Sequence, residues 1–183
     1  MTRLETDRLV LRRWRPADRA PMAAINADPA VMDFPRPLTR DESDAELAEF
    51  EAGWEADGLS FAAIERRADG VLLGMAGLAR CDLGASLPPC VEIGWRLAPA
   101  HWGHGYATEA ARAWLDHGLG TIGLDEVVAF TDPANHRSLA VMRRLGMRRH
   151  PARDFEHPAM PPGHPLRPQL VHAATAAGRE AAR

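Results

Sequence analysis

The sequence predicts an α/β fold (α+β in some schemes) on three observations. Val91–Leu97 alternates in character and is rich in β-branched and aromatic residues, the pattern of a half-buried strand. Two glycines, Gly103 and Gly105, follow a break at Pro99. After them Ala110, Ala111, Trp114 and Leu115 fall at helical spacing, with Glu109, Arg112 and Asp116 on the other face. Strand, glycine-bearing loop and helix in succession make the local architecture of an anion site. The first turn of a helix carries unpaired N–H groups and a partial positive charge, and glycine lets a phosphate approach them closely.

The other elements follow in order. A short apolar strand opens the chain within Arg8–Trp14. Pro16 suits the first turn of a helix with Met22, Ala23 and Ile25 on its apolar side, ending over Asn26–Pro29. Asp28–Phe34 reads as a second short helical turn, and Pro35 and Pro37 break the chain. Thr39 and Glu42 have capping-box spacing ahead of a helix bearing Leu47, Phe50 and Trp54, which stops near Gly58. Leu59–Glu65 and Val71–Ala79 are strand-like, and Arg67-Ala68-Asp69-Gly70 between them has hairpin-turn chemistry. Arg80–Cys90 is a loop rich in Gly, Ser and Pro.

Beyond the central stretch, Glu126–Thr131 is a strand and Asp132-Pro133 a turn. Asn135 caps a helix with Leu139, Met142 and Leu145 on its apolar side and Gly146 at its end. Five prolines between Pro158 and Pro168 make an irregular loop that returns as a strand around Leu170–Ala173, and Ala174–Arg183 reads as a frayed tail. With no repeat or linker in sight, residues 1–175 read as one domain and 176–183 as a C-terminal tail.

A chain of 183 residues with 46% hydrophobic composition buries about 70% of its unfolded surface, so folding requires neither metal nor disulfide. A formal net charge of −3 argues against a nucleic-acid partner, which a basic stripe would announce. All 22 basic residues are arginine. Cys81 and Cys90 read as reduced thiols of a cytoplasmic protein, with a disulfide across their loop as the alternative. The charged N-terminus lacks an apolar signal core, and no window approaches the ~18 apolar residues of a membrane span, so the expected location is cytoplasmic with no membrane partner.

Three kinds of phosphate site compete for Gly103-His104-Gly105-Tyr106-Ala107-Thr108. A P-loop needs Gly-Lys-Ser/Thr at the helix start, which is absent. A dinucleotide fold finds an acid at a suitable distance in Asp125. However, Thr108 occupies the third glycine position, and Ala98–Trp102 separates strand from loop where that fold runs straight into the turn. The third kind, Gln/Arg-x-x-Gly-x-Gly/Ala, maps onto Trp102–Ala107, preceded by EIGW at Glu92–Trp95 and followed by ATEAAR. With these motifs the chain closely resembles the GNAT superfamily of acetyl-CoA-dependent N-acetyltransferases, in its RimJ/RimL-like branch. Asn135-x-x-Ser138 followed by Leu145-Gly146-Met147 is similar to that branch's NxxS…LGF segment, and the opening ETDRLVLRRW matches its usual start. The resemblance spans roughly residues 4 to 172.

The resemblance implies a mixed, mostly antiparallel sheet of six or seven strands with about four helices, in the order β-α-α-β-β-β-α-β-α-β-β, its central strands splayed to admit pantetheine. It implies acetyl-CoA as co-substrate and acetyl transfer to a primary amine, on a small molecule or a peptide. Main chain at Leu97, Ala98 and Pro99 would pair with pantetheine, and the Leu97 N–H would polarise the thioester carbonyl, where a fixed donor meets developing charge. Amides of Gly103, His104, Gly105, Tyr106, Ala107 and Thr108 would hold the diphosphate. Asn135 would hydrogen-bond pantetheine, and Ser138 would lie near the sulfur. Glu92 would be the base, acting through water, with Asp132 and His157 as weaker candidates.

Three departures from the family pattern stand out. Trp102 replaces the loop's opening Gln/Arg, His104 replaces a frequent lysine, and Met142 replaces a tyrosine thought to protonate the leaving thiolate. The alternatives left open are a catalytically silent acyl-CoA-binding protein of the same fold and a doubly wound nucleotide-binding module. The eight histidines lack zinc-like spacing, so no metal is expected. Phe34, Glu51 and Trp54 are candidate acceptor walls, and Asp154 and Glu156 candidate attractors of an amine. A homodimer is compatible with the sequence.

Overall fold

The longer strands form over the expected apolar runs, and the helices that begin at Arg40 and His136 follow the expected caps, Thr39 and Asn135. The computed structural model of the chain describes residues 3–32 and 36–180. Its strands are β1 (Leu4–Glu5), β2 (Leu9–Arg12), β3 (Phe61–Arg66), β4 (Leu72–Cys81), β5 (Cys90–Leu97), β6 (Glu126–Thr131), β7 (Arg148–Arg149), β8 (Phe155–Glu156) and β9 (Pro168–Thr175). Its α-helices are α1 (Arg19–Asn26), α2 (Arg40–Asp57), α3 (Tyr106–Asp116), α4 (His136–Arg144) and α5 (Ala176–Glu180). The pairing is mixed and mostly antiparallel, with β5 and β6 the parallel pair.

The strands beyond the expected six or seven are two-residue pieces, β1, β7 and β8, too short to show a period. The expected fraying from Ala174 onward is also corrected. Ala174 and Thr175 pair with Val127 and Glu126, so a ladder carries β9 to its end and the short α5 follows. Phe34 and Pro35 lie outside the described residues; the turn before them is seen as far as Met32, whose N–H donates to the Asp28 carbonyl at 2.9 Å. Among the described residues no helix is long and apolar enough to cross a membrane.

By internal packing the chain divides into two units, Met1–Ala79 with Gly94–Trp114, and Arg80–Ile93 with Leu115–Arg183. In the first, β1, β2, β3 and the start of β4 pair antiparallel, with Leu4 opposite Leu11, Leu11 opposite Ile64 and Ile64 opposite Gly74. Met22, Ile25, Leu47, Ala63, Leu72 and Met75 form a core against which Trp14, Phe50 and Phe61 pack. The expected capping box starts α2: Thr39 N–H donates to Glu42 at 2.7 Å, and Glu42 N–H donates back to the Thr39 hydroxyl at 3.3 Å. A buried polar knot joins three elements of this unit. Arg96 Nη1 donates to Asn26 Oδ1 (2.8 Å) and Glu46 Oε2 (2.7 Å), while Asn26 Nδ2 donates to Ser43 Oγ (3.0 Å) and Glu46 Oε2 (2.9 Å). Asn26 and Ser43 are fully buried, and each finds a partner, as buried polar groups must.

In the second unit Glu92 of β5 stands opposite Val128, and β6 pairs with β9 from Glu126↔Thr175 to Thr131↔Leu170. Strands β7 and β8 both pair with β9. Cys81, Leu87, Phe155 and Val171 make a small core, with Phe130 edge-on to Phe155 at 5.2 Å.

Gly74 is the most closely hemmed glycine of the first unit. Its φ is 148°, and a β-carbon there would sit 2.0 Å from the Arg96 carbonyl oxygen and 2.7 Å from Leu97 Cα. Gly74→Ala is expected to lower stability by roughly 2–3 kcal/mol or more, read as a shift in the urea midpoint at unchanged slope. An unshifted midpoint would mean that the strands separate there without cost.

Candidate active site

The glycine loop is built by two reversals of the chain. After β5, Pro99–His101 makes a single tight turn, and Trp102 N–H donates to the Pro99 carbonyl at 3.1 Å. The Trp102 indole then reaches back, its Nε1–H donating to the Leu97 carbonyl at 2.8 Å. Gly103 and Gly105 both have positive φ, 78° and 81°, which a side chain would resist. Such alternation turns successive N–H groups toward one side, and α3 begins at once with Tyr106, adding the unpaired amides of its first turn. Nothing lies within 4 Å of a β-carbon built on Gly103. The loop therefore fits an oxygen-rich anion held by main chain. Ala98 is committed on both sides, its N–H to Leu73 O and its carbonyl to His101 N–H, each at 2.9 Å.

The N-terminal segment braces this loop, a role that sequence reading missed. Glu109, in the first turn of α3, accepts hydrogen bonds from the Thr6 hydroxyl, from Arg8 N–H (3.0 Å) and from Arg8 Nε (2.7 Å). Burial raises the Glu109 pKa, but these bonds outweigh it and hold the carboxyl below its usual range. Arg8 also donates from Nη1 to the His104 carbonyl at 3.1 Å, and its guanidinium lies 4.6 Å from the Tyr106 ring centroid. The His104 and Tyr106 rings stack at 5.7 Å, and His104 Nδ1 meets the Trp102 carbonyl at 2.8 Å. Arg66 pairs with Asp69 at 2.6 Å and hydrogen-bonds the Tyr106 side chain. Burial, with a smaller contribution from the nearby Arg66, holds His101 below its usual pKa.

In the second unit Glu92 lies half-buried on β5, and burial pushes its pKa up to about 7. A carboxyl of that kind changes charge near neutrality, the range in which a general base is effective. Asn135 caps α4, its Oδ1 accepting Ser138 N–H at 3.0 Å, which leaves its amide nitrogen as the donor it can offer elsewhere. Met142 is buried in α4, with 1% of its surface exposed. Leu97 and Gly103–Thr108 thus belong to one unit, and Glu92, Asn135 and Ser138 to the other.

Several weaker candidates have structural duties. Trp54 is buried, and its indole donates to the Phe61 carbonyl at 3.3 Å. Glu51 accepts from Arg13 and from Trp14 N–H. Asp132 is occupied by the N–H groups of Ala134 (2.9 Å) and Asn135 (3.1 Å). Asp154 is paired with Arg149, and Glu156 with Arg167 at 2.8 Å, so neither presents a free negative charge to an amine. His157 packs beside Phe130 and Phe155, and burial lowers its pKa. Among the described residues no three His, Cys, Asp or Glu side chains are grouped to hold a metal ion.

The Glu92 shift has a thermodynamic signature. Its ordinary pKa is 4.5 and its folded value about 7, so between those pH values the folded chain holds a proton that the unfolded chain has released. Stability therefore falls as pH rises through that window and stays lower above it. Glu92→Gln lacks this loss, and its stability relative to wild type is expected to rise by on the order of 1–3 kcal/mol from acidic to alkaline pH. Parallel stability–pH curves for the two proteins would show that Glu92 titrates normally.

Comparison with known proteins shows the family. A family model described as an acetyltransferase (GNAT) domain matches residues 8–148. The uncharacterized protein YkkB of Bacillus subtilis is 33% identical over 148 residues, which span 80% of this chain and 85% of that protein. The crystal structure of an acetyltransferase from Agrobacterium tumefaciens shares 28% identity at a TM-score of 0.77, covering 95% of this chain and 94% of that one. RimL, a ribosomal L7/L12 α-N-protein acetyltransferase solved with coenzyme A, shares the fold at a TM-score of 0.76 and 13% identity, over 95% of this chain and 98% of that one. The family match takes in the Arg8 brace, the glycine loop and the Asn135 cap together, and the chain belongs to the GNAT family of acetyltransferases.

Proposed function

We propose that this acyltransferase moves the acetyl group of acetyl-CoA to a primary amine, of a protein N-terminus or a small molecule, by direct attack in a ternary complex. The observation that carries the reading is the braced loop at the head of α3, with two positive-φ glycines and the first-turn amides that follow them. A diphosphate matches such amides in charge and spacing. Gly103, His104, Gly105, Tyr106, Ala107 and Thr108 bind it through main chain, so a histidine in place of lysine at 104 costs little. Ala98 and Pro99 line the pantetheine arm. Asn135 donates its amide to that arm, and Ser138 stands by the sulfur.

Glu92 takes a proton from the acceptor ammonium, through water, and the neutral amine attacks the thioester carbonyl. Its upward-shifted pKa suits it to hold that proton at neutral pH. The Leu97 N–H donates to the oxygen on which negative charge develops. The branch assignment, RimJ/RimL-like, rests on the WGHGYATEA and NxxS motifs. A single acetyltransferase domain over residues 1–175 and a cytoplasmic location complete the reading.

Acetyl-CoA consumption over a panel of peptide and small-molecule amines tests it. Glu92→Gln is expected to lower kcat by roughly a hundredfold, and to abolish the rise of kcat with pH near 7 while acetyl-CoA affinity stays within about twofold. Retention of full kcat and of the same pH profile would remove Glu92 as base. Arg8→Ala leaves the Glu109 carboxylate without its cation beside the loop, and is expected to weaken acetyl-CoA binding by roughly tenfold. Unchanged affinity would mean that the brace does not serve the cofactor. Binding of acetyl-CoA with no thiol release from any amine would favour a silent acyl-CoA-binding protein, a reading to which Met142 in place of the tyrosine lends weight.

A further inference from the structure

Outside the proposed chemistry, the two cysteines stand together. Cys81 ends β4 and Cys90 begins β5, closing an eight-residue loop, 82–89, between them. The antiparallel approach of the two strands is fixed where Ala98 N–H donates to the Leu73 carbonyl. That register, carried along both strands, puts Cys81 opposite Cys90. Directly opposed residues of an antiparallel pair have Cα atoms roughly 4.5–5.5 Å apart, inside the roughly 4.4–6.8 Å that a disulfide accepts. The side chains agree with the register: both thiols are free, and one hydrogen-bonds the other. They differ in access. Cys81 is buried, whereas Cys90 is half-buried and lines an open cavity of about 550 Å³ with Ser86, Pro88, Glu126 and Arg153.

We infer that Cys81 and Cys90 form a redox-active dithiol, Cys90 receiving a small-molecule disulfide from the cavity and Cys81 resolving it into a Cys81–Cys90 bond. In the first step the Cys90 thiolate attacks one sulfur of RSSR; the new bond joins Cys90 Sγ to that sulfur, and RS⁻ leaves and takes up a proton. In the second, Cys81 Sγ attacks Cys90 Sγ, the mixed disulfide breaks, and a second RS⁻ leaves. The chain loses two electrons and two thiol protons, and the small disulfide becomes two thiols. Geometry sets the order, because only Cys90 meets the cavity. Electrostatics sets the pace. Burial and then Glu92 raise both thiols, Cys81 to about 12, while Arg153 pulls Cys90 back toward ionisation. Exchange is therefore slow at neutral pH and quickens in alkali.

The bond would tie the end of β4 to the start of β5, two positions from Glu92 and on the same face of the strand. The proposal does not depend on the acyl reaction. Its test is incubation of the full native chain with glutathione disulfide at mildly alkaline pH, followed by acid quench, alkylation and intact mass. The wild type is expected to lose both alkylatable thiols and two hydrogens of mass without gaining glutathione, to show a raised Tm, and to revert with dithiothreitol. Cys81→Ser is expected to accumulate one glutathione adduct at Cys90, and Cys90→Ser none over the same period. A wild type that keeps both thiols, or that stops at a stable adduct, overturns the dithiol. Equal labelling of Cys90→Ser overturns the order of attack.

Discussion

The main chain at Arg96 and Leu97 runs so close to Gly74 that the strands leave no room for even one methyl group. Much of the first unit hangs on that approach. It holds Ala98 against Leu73, which sets the direction in which the chain leaves β5. It also aims Arg96 at Asn26 and Glu46, so that α1, α2 and β5 are joined by charge-assisted bonds as well as by packing. From Leu97 the Trp102 indole fixes the start of the loop, and from His104 and Glu109 the Arg8 side chain fixes its end. An anion site made of amides is only as good as the rigidity of those amides, because a backbone that must reorganise around its ligand loses the benefit of pre-set donors. Here the loop's start is pinned by its own Trp102 and its end by Arg8 from the N-terminal segment.

Electrostatics divides differently in the second unit. Asp154, Glu156 and Glu126 each meet an arginine there. Glu92 does not. Its shift comes from burial, and among the described residues no ion pair offsets it. An unpaired carboxyl in a partly desolvated strand is a cost to the fold, which is the usual mark of a group kept for chemistry. The paired acids of the 154–156 segment illustrate the opposite case, since an arginine within reach leaves a carboxylate little pull on a substrate cation.

How much of this was legible follows from the range of each interaction. Caps and turns are local, so Thr39 with Glu42, Gly58, Asn135 and Gly146 could be read directly, as could Glu126–Thr131 from its apolar run. The glycine loop was legible for the same reason: its whole signature lies within a few residues. The Arg8–Glu109 brace was not, because its partners are 101 positions apart and neither side chain departs from an ordinary surface pattern. The two-residue strands carry no period of their own and exist only through β2 and β9. Trp54 could be read two ways, because a tryptophan on an apolar stripe looks alike whether it walls a site or fills a core; in the structure it is buried, with its indole on the Phe61 carbonyl.

The tyrosine position taken by Met142 bears on how the proposed reaction ends. A thiol's ordinary pKa of about 8.5 means that a coenzyme thiolate is released as an anion only modestly more basic than neutral water tolerates. Protonating it in the transition state therefore contributes far less than it would for an alkoxide or an amide nitrogen. The difficult proton is the one on the attacking amine, whose ammonium form dominates at neutral pH and cannot attack. On this reasoning the family chemistry survives the loss of the acid more readily than the loss of the base. The chain's arrangement is consistent with that ranking: the buried thioether of Met142 offers no proton, whereas Glu92 is held where its proton affinity lies close to neutrality.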